Sequence, residues 1–291
     1  MTDLATLTTA IEDTEKWEEF LKQRYGPYKS SKETKHFYED IKAEKTHPSV
    51  EDFLKENHER QTYDYVQTMK RDYGKLDKAY MGIWDMLMLL DNIQLDSNTV
   101  QLQQKVHAFQ MAESMRREGL PRWLIMTALI HDLGKYLYLL GERQWTVVGE
   151  TFPVGCQFSS RIAYPHFFEN NPDTKNETYN SSKYGIYEPH CGLTKVDFSF
   201  GHDEYMYMVC KDYLPAESLY IIRYHSFYSC LLEGDYTYLL NEQDIEMMKW
   251  VKIFLQYDLF SFSEPIPQDL NEIKPFYEEL LAEYFPEKIR W

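Results

Sequence analysis

Apolar residues recur at spacings of three and four from about Gln61 onward, whereas residues 1–60 are polar and charge-rich with few apolar stripes. That spacing is the period of a helix with one buried face. The chain therefore reads as a polar N-terminal arm or lid over 1–60 and one helical domain over 61–291, compact as a whole. IWDMLMLLDNI (83–93) predicts a strongly apolar helix, followed by a polar joint at Asp96–Asn98. Residues 99–118 predict a second helix, stopped by Gly119. Pro121 then stands where a helix start tolerates proline, and RWLIMTALIHDLGKYLYLLG predicts a helix interrupted near Gly134. Most of the Gly, Pro, Asn and Ser falls in residues 142–200, which predicts a long irregular region; inside a compact domain such loops are usually functional. Helices are expected again over 202–213, 215–230, 242–260 and 271–284. No repeat and no alternating strand series is present, so the fold class is all-α.

Composition narrows the function classes. The formal net charge of −16 disfavours nucleic acid and anionic membrane as partners. No apolar run reaches the roughly 18 residues of a membrane span, and MTDLATLTTAIEDTEKWEEF lacks the basic and apolar regions of a signal peptide. Cys156, Cys191, Cys210 and Cys230 form no CxxC pair and read as reduced thiols. A cytoplasmic chain, monomeric or weakly associating, is the expectation.

Polar residues on apolar faces carry the chemistry. Asp258 falls on the stripe of Met248, Val251 and Leu255, where a carboxylate is costly unless paired or bound to metal. His107 shares a face with Met111 and Met115, and His202 lies one and two turns before Met206 and Val209. His225 follows Ile221 and Ile222, and His131-Asp132 follows WLIMTALI directly. Any one of these alone reads as a satisfied core residue. Four histidines and two aspartates on the inner faces of five helices are different, because metal coordination satisfies them jointly. Neighbours on a helix point about 100° apart, so Asp132 can bridge two ions while His131 binds one. Imidazole and carboxylate without thiolate suit iron, manganese or zinc.

The order His107, His131-Asp132, His202, His225, Asp258 is similar to the pattern of the HD-domain superfamily. VHAFQMAE, LIHDLGK, QWTVVGETFPVGC, YEPHCGL, SFGHDEYMYM, IIRYHSFY and the terminal YFPEKIRW resemble segments of the myo-inositol oxygenase family, from about Tyr38 to Trp291. The resemblance implies an HD-domain-like helical bundle around a central di-metal site, with two iron ions in a mixed-valent Fe(II)/Fe(III) state. The implied metal ligands are His107, His131, Asp132, His202, His225 and Asp258, with Asp132 as bridge. It further implies a small hydroxylated substrate, O2 as co-substrate, and oxidative cleavage of myo-inositol between C1 and C6 to D-glucuronate without external reductant. Lys135 matches a family lysine that contacts substrate oxygen, where a cation favours the alkoxide form of the bound diol; Gly149 and Ser226 match further substrate contacts.

The chain departs from the family in its outer substrate shell. Where the family carries an Asp-Glu-Ser cluster, this chain reads DNIQLDSN, placing Gln94, Leu95 and Asp96 there. Glu150 follows Gly149 where the family has Asp, and a family arginine corresponds to His36. A polyol needs a dense ring of polar partners, so a different diol or an amino alcohol is a rival substrate under the same chemistry. An HD-type metal-dependent phosphohydrolase is a rival reaction, disfavoured by the scarcity of basic residues near the ligands beyond Lys135 and Arg223.

Overall fold

A computed structural model describes residues 48–91, 103–260, 266–267 and 269–291. Helix α1 (Pro48–Arg60) lies within the stretch read as an arm. Its Leu54, Asn57 and His58 are buried, the His58 ring stacked on Phe168 at 4.1 Å. The packed body thus begins no later than α1; residues 1–47 lie outside the described residues.

Helix α2 (Tyr63–Tyr73) is capped by the Thr62 side chain, which accepts the Tyr65 N–H, and buries Val66, Met69 and Tyr73 along one stripe. Strand β1 (Tyr80–Met81) then leads to α3 (Ile83–Asp91), α4 (Gln103–Arg117) and α5 (Arg122–Ile130). Leu124 through Ile130 are all buried, so α5 is enclosed on every side, as its unbroken apolar run requires.

The expected continuation of that helix to about Gly134 changes character earlier. Residues His131–Tyr138 coil as 3-10 turns, so the switch falls three residues before the glycine. The physical reason lies in the partner element, not in glycine flexibility. A Cβ on Gly134 would stand 2.0 Å from the carbonyl oxygen of His202, so bare backbone is needed where the two segments meet.

The region 142–200 is irregular as expected, yet much of it is interior. It contains two one-turn helices, α6 (Gln144–Val147) and α7 (Glu177–Asn180), joined by 3-10 turns and bends. Its backbone is tied by Val154 N–H to Asp197 O (2.9 Å) and Ser199 N–H to Phe152 O (2.8 Å), while Phe152, Val154, Phe198 and Phe200 fill the core. Helices α8 (His202–Cys210), α9 (Ala216–Tyr224), α10 (Tyr228–Leu231), α11 (Glu242–Phe260) and α12 (Lys274–Ala282) complete the bundle. Helix α4 packs on α5, α8 on the 3-10 segment, and α9 on both α8 and α11. Strand β2 (Ile289–Arg290) pairs antiparallel with β1, Tyr80 opposite Arg290 and Met81 opposite Ile289. The fold is all-α apart from this pair and the isolated Pro153–Phe198 bridge among the described residues. No described helix is long and apolar enough to cross a membrane.

Candidate metal centre

Five segments of the bundle bring their polar exceptions to one place. Helix α4 supplies His107 from among Phe109, Met111 and Met115, all fully buried. The enclosed α5 delivers His131 and Asp132 at the start of the 3-10 segment. With about three residues per turn, positions three apart eclipse in such a segment. Lys135 accordingly sits over Asp132, its Nζ donating to Oδ2 at 2.9 Å. His202 opens α8, held against the turn by the close approach at Gly134. His225 closes α9, its N–H bonded to Ile221 O at 2.9 Å, and Asp258 comes from the last turns of α11.

Three of the histidines are oriented in the same way. Nδ1 lies 2.9 Å from Ala128 O in His131, 2.8 Å from Val147 O in His202, and 3.1 Å from Ile222 O in His225. A carbonyl can only accept, so Nδ1 carries the hydrogen and Nε2 is the atom left to meet a cation. The Nε2 atoms of His202 and His225 face each other at 3.3 Å in an interior closed to water.

The spacing of the inward atoms matches a coordination shell. Nε2 of His107 lies 3.0 Å from Asp258 Oδ1, and Nε2 of His131 lies 3.6 Å from the same oxygen. His131 Nε2 is also 3.4 Å from Asp132 Oδ2, whereas His202 Nε2 is 3.4 Å from Asp132 Oδ1. Donors about 2.1 Å from one ion stand roughly 3.0 Å apart when cis-octahedral and roughly 3.4 Å apart when tetrahedral. The two oxygens of Asp132 therefore address different histidines, which is what a bridge between two ions requires. His107, His131 and Asp258 form one group able to hold an ion, His131, Asp132 and His225 a second, and His202, Asp203 and His225 a third.

Electrostatics favour the same occupant. Three carboxylates, Asp132, Asp203 and Asp258, converge there, and among the described residues Lys135 is the one buried ammonium beside them. Burial alone would push the Asp132 and Asp258 carboxyls up, but the histidines, joined at Asp132 by Lys135, hold both well below the usual range. Burial likewise opposes protonation of His131, yet Asp132 and Asp258 outweigh it and lift this imidazole to about 9. Burial pushes His225 down, reinforced by His131 and His202 against the pull of Asp203. All four cysteines are free thiols, and none belongs to these groups among the described residues, which leaves a nitrogen and oxygen donor set. The chemistry of the donors and the bare facing nitrogens fit one or two cations of the iron, manganese or zinc type.

The residues expected to meet substrate are more dispersed. Gly149 is buried with φ of 134°, a value that favours glycine, and a Cβ there would press on Asn57 Nδ2 at 3.1 Å. Ser226 is buried beside His225, its carbonyl accepting the Thr151 N–H at 2.9 Å. Glu150 is buried, and its Oε1 accepts the Ser229 N–H at 2.7 Å, so this carboxylate ties the 148–156 loop to α10. His36, Gln94 and Asp96 lie outside the described residues.

Two carboxylates next to His202 are additions to the expected set. Asp203 joins the His202–His225 group, and Glu204 grips Arg223 through two bonds, Nε to Oε2 at 2.6 Å and Nη2 to Oε1 at 3.2 Å. That pair joins α8 to α9 two residues from each histidine, with the guanidinium also 4.5 Å from the Tyr207 ring. A second His-Asp pair, 202–203, echoes 131–132 in the sequence, but it falls at a helix start where an acidic first turn is ordinary.

Known proteins resemble the chain over this same region. A family model described as myo-inositol oxygenase matches residues 47–291. Inositol oxygenase 4 of Arabidopsis thaliana is 45% identical over 260 residues, covering 87% of this chain and 81% of the relative. An inositol oxygenase of Dictyostelium discoideum is 41% identical over 273 residues, covering 89% and 91%. One from Danio rerio is 42% identical over 240 residues, covering 80% and 86%. Because the match runs from the first described helix to the terminal tryptophan, through every segment that lends a histidine or aspartate to the cluster, the chain belongs to the myo-inositol oxygenase family.

Proposed function

We propose that this chain is a myo-inositol oxygenase that uses two iron ions and O2 to open the inositol ring between C1 and C6, giving D-glucuronate. The observation that carries the reading is Asp132, whose two oxygens face separate histidines at 3.4 Å each. His107, His131 and Asp258 would hold one ion and His202 and His225 the other, with Asp132 between them. Bound there, the mixed-valent pair would supply Lewis acidity toward the vicinal hydroxyls and a binding site for O2. Inositol plus O2 equals glucuronic acid plus water in atoms, and the substrate supplies all the electrons, so no reductant is required.

The protein groups have tasks that follow from their placement. Lys135, fixed by its bond to Asp132 Oδ2, would set an ammonium beside the bound diol and favour its ionised oxygen. The Nδ1–H contacts of His131, His202 and His225 keep each ring in one tautomer, so no ring must flip as the centre fills. Phe254, with its ring 5.2 Å from His131 and 6.2 Å from His225, closes one flank with apolar surface and limits water. The backbone at Gly149 and Ser226 would line the polyol pocket, together with Glu150, His36, Gln94 and Asp96. A phosphohydrolase would need free cations for phosphate; Arg223 is instead engaged by Glu204 inside the core.

Oxygen uptake by the iron-loaded chain tests the proposal. Uptake that depends on myo-inositol is expected, with no phosphate released from generic phosphate esters. Absence of inositol-dependent uptake in fully loaded protein would reject it.

A further inference from the structure

The strap of backbone from Val147 to Val154 carries Gly149 and Glu150, and both of its ends are tied to α8. At the start, the Val147 carbonyl accepts the His202 Nδ1–H at 2.8 Å. At the far end, the Val154 N–H donates to Asp197 O at 2.9 Å, and the Val154 carbonyl accepts the Tyr187 hydroxyl at 2.7 Å. That hydroxyl also accepts the Asp197 N–H at 3.0 Å, so this end of the strap rests on Asp197. The Asp197 carboxylate accepts Lys70 Nζ from α2 at 2.6 Å, and the same ammonium lies 3.3 Å from Glu204 Oε1 on α8. Glu204 in turn grips Arg223 of α9. Charges thus alternate along a row, Asp197, Lys70, Glu204, Arg223, from the strap to the two helices that bear His202 and His225. An ammonium has three donors, so one lysine can hold two carboxylates that would otherwise repel. Burial opposes the Lys70 charge, but Glu204 and Asp197 outweigh it and raise its pKa above the ordinary lysine value.

We propose that Lys70 is a positioning residue for the substrate pocket: by bridging Asp197 to Glu204 it fixes the Val154 end of the strap relative to α8, and so sets where Gly149 and Glu150 stand. This rests on the reading of that strap as pocket wall given above. The centre of the strap is held separately, by Thr151 N–H to Ser226 O at 2.9 Å and by Glu150 to the Ser229 N–H at 2.7 Å, so Lys70 governs the far end. Its partners Asp197 and Glu204 stand outside the histidine groups, so its loss changes how substrate fits and not the chemistry.

The test pairs steady-state kinetics of the iron-loaded full chain on myo-inositol with amide hydrogen exchange of the metal-free chain. Lys70→Met keeps the stem and removes the charge; it should raise KM by about threefold to tenfold with kcat unchanged. Lys70→Arg should restore KM, since a guanidinium can also serve both carboxylates. Asp197→Asn should reproduce the Lys70→Met effect, and the double variant should be no worse than either single change, because the two residues act as one unit. In the metal-free chain, Lys70→Met should speed exchange at the Val154 and Ser199 amides and leave the core of α5 protected as in wild type. If Lys70→Met does not fold, Asp197→Asn decides. A lower melting temperature with wild-type KM and unchanged Val154 exchange would show a merely structural Lys70 and overturn the proposal, as would Lys70→Arg behaving like Lys70→Met. A wild type that turns over no inositol would instead reject the proposed function, and the exchange measurement, which needs no substrate, would still decide whether Lys70 fixes the strap.

Discussion

Asp132 and Lys135 show how two adjacent charges can differ in role. Only Asp132 presents an oxygen to each side of the cluster, so Asp132→Ala should strip most of the metal, whereas Lys135→Ala should retain it and lose turnover. Metal content of the two purified variants checks this, and equal loss in both would contradict it. Glu150 offers a second contrast. Shortening it to aspartate restores the family residue but withdraws the carboxylate from the Ser229 N–H, a buried bond whose loss costs on the order of 1–3 kcal/mol. Urea unfolding of Glu150→Asp should show that destabilisation; an unchanged midpoint would mean the shorter carboxylate re-forms the bond. The polar exceptions on apolar stripes were legible because a histidine or aspartate among methionines and isoleucines stands out by burial cost. Asp203 was not, because HDEY at a helix start reads as an acidic first turn favoured by the helix dipole. Only the fold shows that Asp203 and Glu204 point inward.

At the level of elements, the site depends on how α8 and α9 are held. Gly134→Ala would drive a methyl into the His202 carbonyl, and overpacking of this kind typically costs about 1–3 kcal/mol. Thermal unfolding of the metal-free variant should therefore fall, and metal affinity on the His202 side with it. An unshifted melting temperature would show that α8 can move aside freely. Removing Glu204 leaves the buried Arg223 guanidinium without its carboxylate, at about 3–5 kcal/mol. Glu204→Gln should destabilise the chain accordingly, while replacing both partners by Met should cost less than the single change; denaturant midpoints of the three proteins decide. Helix placement was largely readable from the 3.6-residue period. The 3-10 character of His131–Tyr138 was not, since local pattern cannot register that another segment's backbone presses against Gly134. Nor could a period reveal that residues 142–200 bury their aromatic side chains, because that region is held by contacts distant in sequence.

For the whole molecule, the helical class and the family were legible over nearly the full chain, but the start of the packed body was not. Helix α1 is too rich in charge to announce its buried Leu54 and His58. Across the bundle, Glu113 joins α4 to α12 by accepting the Tyr277 hydroxyl at 2.8 Å beside its pair with Arg116. Burial pushes the Glu113 carboxyl up, but the Arg116 and Tyr277 bonds outweigh it and hold it below the ordinary glutamate range. A depressed carboxyl stabilises the fold fully above its unfolded pKa of about 4.3 and loses that contribution as pH falls through the folded value. Glu113→Gln should therefore lower stability at neutral pH and flatten the acid limb of the stability curve, as read by thermal unfolding across pH; parallel wild-type and variant curves would contradict this.

The central claim, that this fold gathers iron to insert oxygen into inositol, is tested most directly by turnover under 18O2. Iron-loaded protein is mixed with myo-inositol, and the product is read by mass spectrometry. D-glucuronate carrying one labelled atom is expected, since the product holds one oxygen more than the substrate and the other atom leaves as water. Unchanged inositol, or glucuronate without label, would contradict it.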